Sequence, residues 1–267
     1  MRETGGQQVS NPITLSQAIE GRILAANAKG LSINTIKEYS LYYRKLMTFM
    51  PDDPVFTSIT VDRLREFMAA QTHLSKKTRS NIRVSLSSMW SWAVDYKIIT
   101  ANVAADLDII KPESRAIHPY TKEDVQAMLA NVDKSKAYTR PGKRECSNTI
   151  FQAVRNKSII LMLLDTGLRS SELAGLLIRD VDKRNQRAKV LGKGSKERIV
   201  PFSAITSMSV WRYLAQRPDA RPDEPLFITT RDRPLSKFEI RDLIAPIGDR
   251  AGVMNAHPHR FRHTFAV

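Results

Sequence analysis

Helical periodicity runs along almost the whole chain and breaks once, and that single break bounds the architecture. In the first part, apolar residues recur at the three- and four-residue spacing of amphipathic helices. Leu15, Ala18, Ile19, Ile23 and Leu24 follow a capping Thr14, and Ile36, Tyr39, Tyr43, Leu46 and Met47 follow Ser32 or Asn34. Pro51 and Pro54 close that second helix, and a third, behind Thr60, carries Val61, Leu64, Phe67 and Met68. A longer helix over 76–96, opened by Ser75, places Val84, Leu86, Met89, Trp90 and Ala93 in a core. From Asp180 the pattern shortens to strand-like runs at Val181, 188–191 and 198–201, with Gly192-Lys193-Gly194-Ser195 suited to a tight hairpin turn. Helical spacing returns over 204–216, 236–248 and from Pro258 onward. The expected fold is mainly α with a small antiparallel β-sheet.

At 267 residues the chain exceeds what one compact core needs. Lys111-Pro-Glu-Ser-Arg-Ala-Ile-His-Pro119 is polar, carries two prolines and separates two periodic regions, so it reads as a linker. A helical domain is therefore expected over 12–110, a linker over 111–119 and a second domain over 120–267. Thr121-Lys-Glu-Asp124 opens that second domain as a capping box. The stretch 134–147 reads as a polar loop, and helical spacing resumes over 148–165.

Lys and Arg number 42 against 27 Asp and Glu, a formal net charge of +15. A fold this basic repels itself unless an anionic partner offsets it, and nucleic acid is the usual partner. Lys37, Lys76, Lys77, Arg79 and Arg83 are the candidate phosphate contacts of the first domain, although amphipathic helices also solvate such faces with no ligand at all. No apolar run reaches membrane-span length and the first eleven residues are polar, so a cytoplasmic protein without a membrane partner is expected. The single cysteine, Cys146, excludes an internal disulfide framework and a Cys-based zinc site.

Three segments of the second domain carry chemistry. In Thr166-Gly-Leu-Arg-Ser-Ser-Glu-Leu173 a glycine turn breaks one helix, Ser170 or Ser171 can cap the next, and Arg169 sits at the junction. Glu172, one turn on, can hold the Arg169 guanidinium in one orientation. In Val190-Leu-Gly-Lys-Gly-Ser-Lys-Glu-Arg-Ile-Val-Pro201 a lysine between two glycines at a hairpin tip can enter a groove, and Lys196 and Arg198 flank it as candidate DNA contacts. In His257-Pro-His-Arg-Phe-Arg-His-Thr-Phe-Ala266, His259 and Arg262 are three positions apart and share a helix face, while Phe261 and Phe265 lie on another, buried stripe. Such a pair offers adjacent donors to one phosphate. Zinc is a poor alternative, since His257, His259 and His263 lack acidic or Cys partners nearby.

Together the three segments resemble the tyrosine recombinases, or phage-type integrases, which share their catalytic fold with type IB topoisomerases. Thr-Gly-Leu-Arg-Ser-Ser-Glu-Leu is similar to the first-arginine box, the Gly-Lys-Gly-Ser-Lys segment to the hairpin lysine, and His-Arg-Phe-Arg-His to the His-x-x-Arg box, in the family's order. The resemblance implies a helical core-binding domain joined to a recombinase catalytic domain, acting on double-stranded DNA of a phage or other mobile element without cofactor or metal. Arg169 and Arg262 would clamp the scissile phosphate, His259 would donate to it, Lys193 would protonate the leaving 5′-oxygen and Glu172 would position Arg169. The domains would close on DNA as a clamp, and complete enzymes assemble as tetramers on it.

The family places its nucleophilic tyrosine downstream of the His-x-x-Arg box, whereas Tyr39, Tyr42, Tyr43, Tyr96, Tyr120, Tyr138 and Tyr213 all precede it here. The expectation is a catalytic domain lacking its C-terminal part, a fragment that is monomeric in solution and grips a phosphate without cutting it. A truncated DNA-binding module and a type IB topoisomerase are the alternatives, and the helical first domain argues against the latter.

Overall fold

The computed structural model describes residues 12–113, 117–133, 150–192 and 196–267. The expected loop over 134–147, Cys146, Tyr138 and Lys193 lie outside the described residues. The chain divides into two compact units, Met1–Arg115 and Ala116–Val267, with the division inside the stretch read as a linker.

The first unit is built of α1 (Leu15–Ala28), α2 (Ile33–Phe49), α3 (Val61–Ala70) and α4 (Lys76–Asp95). Each begins where a hydroxyl can accept from an otherwise unpaired backbone N–H: Thr14, Ser32, Thr60 and Ser75 are the caps. Thr14 and Gln17 complete a reciprocal capping box. Leu15, Tyr43, Leu46, Leu64, Phe67, Met89 and Trp90 form the centre of the core. Two residues read as core positions are not: Leu24 is 72% exposed and Val84 56% exposed. Both sit at the margin of their helix's apolar stripe, where the facing helix rather than the spacing decides coverage.

In the second unit, α5 (Lys122–Leu129) starts at the Thr121–Asp124 capping box. The helix α6 (Ile150–Thr166) carries a continuous apolar run over its second half, where Ile159, Ile160, Met162 and Leu163 are fully enclosed. It runs through the middle of the unit and packs on both α8 (Ala204–Leu214) and α10 (Pro258–Ala266). Between them come the short α7 (Ser170–Ala174), the strands β1 (Val181–Asp182), β2 (Arg187–Leu191) and β3 (Glu197–Pro201), and α9 (Lys237–Arg250). The strands form one antiparallel sheet in the order β1-β2-β3, with Val190 opposite Arg198. β2 alternates as the pleat requires, with Ala188 and Val190 buried and their neighbours exposed. No helix among the described residues is long and apolar enough to cross a membrane.

Candidate active site

The site begins where α6 ends. Gly167 has φ +58°, a left-handed conformation that reverses the chain without a Cβ penalty. A Cβ at this position would also meet the Phe265 ring at 2.5 Å, so the turn fits directly beneath α10. Phe265 itself is 55% exposed rather than buried, because it lies over this turn at the surface instead of in the core.

The turn delivers Arg169 as the N-cap of α7. Neither serine caps that helix; Glu172 reaches back to accept the Arg169 backbone N–H at 2.9 Å. The other Glu172 oxygen accepts from the Arg169 guanidinium, also at 2.9 Å. A second arginine meets the same carboxylate from β3, with Arg198 Nη1 and Nη2 at 3.1 and 2.8 Å. Arg198, a DNA-contact candidate by sequence, is engaged with Glu172, a contact no spacing could supply because the partners lie on different elements. Burial works to raise the Glu172 pKa, but hydrogen bonds from Arg198 and from the Arg169 backbone and side chain outweigh it and hold it at about 2.

The third element is α10. His257 caps it, accepting the Arg260 N–H on Nδ1 at 3.2 Å, with Pro258 in the first turn where no amide donor is needed. Tyr120 fixes the helix start: its hydroxyl accepts from the His257 N–H at 2.9 Å, and its N–H donates to Thr264 Oγ1 at 2.8 Å. Arg260 is wholly committed to this anchorage. Its Nε donates to the His118 carbonyl, Nη1 to that of Met254 and Nη2 to that of Pro119, at 2.8, 2.8 and 3.3 Å. Its guanidinium also lies 4.2 Å from the centre of the Tyr120 ring.

Two residues on, Arg262 behaves differently. Its Nη1 donates to the Gly167 carbonyl at 2.7 Å, tying α10 to the turn that presents Arg169. His259 is exposed, with its ring set edge-on to His263 at 4.8 Å. Its pKa is lowered by partial burial first, then by the charges of His263, Arg262 and Arg169. Arg169, His259 and Arg262 therefore share one electrostatic neighbourhood.

Of the first unit's candidates, Lys37 and Lys77 are exposed. Lys76 pairs with Glu113 at 2.7 Å. Arg83 donates to the carbonyls of Leu107 and Ala105 at 2.8 and 3.0 Å, and Arg79 is half-buried with its Nε enclosed. Sequence reasoning missed the anchoring roles of Tyr120, Arg260 and Thr264. The basic character of Arg260 was visible, but nothing in the string separates it from Arg262. Among the described residues no group of three or more His, Cys, Asp or Glu is placed to hold a metal ion.

Comparison with known proteins bears on the family and the fold. A profile of the phage integrase family matches residues 120–267. Tyrosine recombinase XerC of Corynebacterium efficiens is 28% identical over 241 residues, covering 89% of this chain and 73% of that protein. A lambda integrase dimer bound to a COC′ core site superposes with a TM-score of 0.72 at 16% identity, over 96% of this chain and 70% of that one. The XerH site-specific recombinase bound to palindromic difH substrate gives 0.71 at 21% identity, over 95% and 72% of the two chains. The last two likenesses concern the fold.

Proposed function

Because the chain belongs to the phage integrase family of tyrosine recombinases, we propose that it acts in site-specific DNA recombination, with its second unit gripping the scissile phosphate of a DNA duplex. The observation that carries this reading is the convergence of Arg169 and Arg262 on the Gly167 turn beside His259. Of the five N–H donors of a guanidinium, Arg169 gives one to Glu172 and Arg262 gives one to Gly167. Among the described residues nothing else takes their donors, which leaves the rest for phosphate oxygens, in the planar fork that suits them.

In the chemistry of the family, a tyrosine hydroxyl attacks phosphorus, the 5′-oxygen leaves with a proton, and a 3′-phosphotyrosine keeps the bond energy for rejoining. Charge on the phosphoryl oxygens is then met by fixed cationic donors, the role we assign to Arg169 and Arg262, with His259 as a hydrogen-bond donor or proton carrier. Lys193 is our candidate acid for the leaving oxygen. We assign DNA contact outside the clamp to the helical unit over 12–110, through Lys37 and Lys77, and to Lys196 next to β3; these contacts position the duplex without reading its sequence.

A second reading, binding without cleavage by residues 1–267, is favoured by five of the seven tyrosines. The hydroxyls of Tyr39, Tyr42 and Tyr43 bond Ser88, Glu38 and the Ser85 carbonyl, and Tyr120 and Tyr213 bond the backbone of His257 and Ile228. Two experiments test these readings. A duplex enriched from a random pool by this polypeptide should be bound with steep inverse salt dependence, and Arg169→Ala should weaken it by about tenfold or more. Unchanged binding by that variant removes the clamp assignment. On a nicked suicide version of the duplex no covalent adduct should form, and a recovered phosphotyrosine overturns the second reading.

A further inference from the structure

The carboxylate of Glu172 is 95% enclosed, its side chain being 5% exposed, and it carries two arginines, one from the turn before α7 and one from β3. Each oxygen accepts two hydrogen bonds. Oε1 takes Arg169 Nη1 and Arg198 Nη1, and Oε2 takes the Arg169 backbone N–H and Arg198 Nη2. A carboxylate has about four lone-pair sites, so this one is saturated. The two arginines use it unequally. Arg198 spans both oxygens with a planar fork, the geometry that fixes a carboxylate's rotation, whereas Arg169 touches it with a single guanidinium N–H.

The sheet is shaped for this contact. Arg198 pairs across the ladder with Val190, and its Nη1 lies 3.1 Å from where a Cβ on Gly192 would stand. The bare glycine backbone leaves the guanidinium its path over the end of β2 toward α7. Without Arg198, Glu172 would keep only the Arg169 backbone N–H and one guanidinium N–H, single bonds that fix its rotation less firmly and leave Arg169 more play.

We infer that Arg198 is a positioning residue: by locking both oxygens of Glu172 it holds the Arg169 guanidinium at one angle to the phosphate, and it makes no phosphate contact itself. The inference rests on the proposed clamp and assigns β3 a part in it. It differs from a direct DNA contact and from a purely structural ion pair in how Arg198 and Arg169 combine.

The test is a double-substitution cycle in residues 1–267, using the duplex enriched by the parent and a salt series for each variant. Arg169→Ala is expected to weaken binding about tenfold and to lower the salt slope by about one. Arg198→Ala should weaken binding several-fold in the parent but change nothing further in the Arg169→Ala background. Losses that multiply, with the slope falling by about two in the double variant, make Arg198 a phosphate contact and overturn the inference. A lowered melting temperature with parental affinity makes it a structural pair and also overturns it. If Arg169→Ala itself binds like the parent, the proposed clamp fails, and that outcome is separate from the other two. Should Arg198→Ala not fold, Arg198→Lys carries the same cycle, since it keeps the charge and loses the fork. The lysine variant is expected to weaken binding only where Arg169 is present, and an equal loss in both backgrounds overturns the inference.

Discussion

The first turns of α4 and the arginine cluster around Gly167 are both rich in cationic residues, and they use them in opposite ways. On α4, Lys76 pairs with Glu113, Arg83 donates to two backbone carbonyls and Arg79 is half-buried. Around Gly167, the side chains of Arg169 and Arg262 each make one anchoring bond among the described residues and keep most of their donors. A net charge of +15 therefore overstates what is available for a ligand. What marks a binding cation is a side chain with donors to spare; of the first unit's candidates, Lys37 and Lys77 stand exposed, and the enclosed Arg79 Nε has no partner among the described residues.

The largest effect that could break this contrast lies within α10, where both kinds of arginine occur. Arg260→Ala removes the donor for the carbonyls of His118, Pro119 and Met254, and should destabilise the protein by about 3 kcal/mol in urea unfolding. Arg262→Ala, losing one bond to Gly167, should cost about 1 kcal/mol while weakening DNA binding. Equal costs in the two variants would dissolve the distinction.

Acid comes next. Glu172 is held at about 2, below the ordinary 4.5, so the unfolded chain takes up its proton first as pH falls. The stability it contributes, on the order of 2 kcal/mol, is complete above pH 4.5 and lost between there and pH 2. The unfolding free energy of the parent should show this step, and Glu172→Gln should lack it.

Within the first unit, Arg83→Ala should cost about 1–2 kcal/mol of stability and leave the salt slope of DNA binding in place. Lys77→Ala should do the reverse, with stability unchanged and the slope reduced by nearly one. A slope that falls with Arg83 would return that residue to the interface. The smallest effect concerns His259, whose pKa is lowered by partial burial and neighbouring cations, favouring the neutral ring in the free protein. A bound phosphate favours the protonated ring, so affinity should rise a few-fold as pH drops from 8 to 6, and His259→Gln should flatten that rise.

The helices were legible because their signals are local. Thr14, Ser32, Thr60, Ser75 and Thr121 each satisfy the backbone of the next few residues, and apolar spacing repeats within each element. The sheet announced itself through the same short range, and the pairing of Arg169 with Glu172 is a spacing within one turn of helix. Leu24 and Val84 were misread because exposure at the edge of a stripe depends on what lies opposite.

The sequence alone settled the hydroxyl caps of the first four helices and of α5, the centre of each apolar stripe and the three segments that carry the cations, since these follow from contacts a few residues apart. Only the tertiary structure decided which cations are free. Arg198 meets Glu172 from another element, Arg260 binds carbonyls more than a hundred residues earlier in the chain, and Arg262 finds the Gly167 carbonyl across the core. A guanidinium looks the same in a sequence whether its donors are filled or open, and the partners that fill them are brought to it only by the fold.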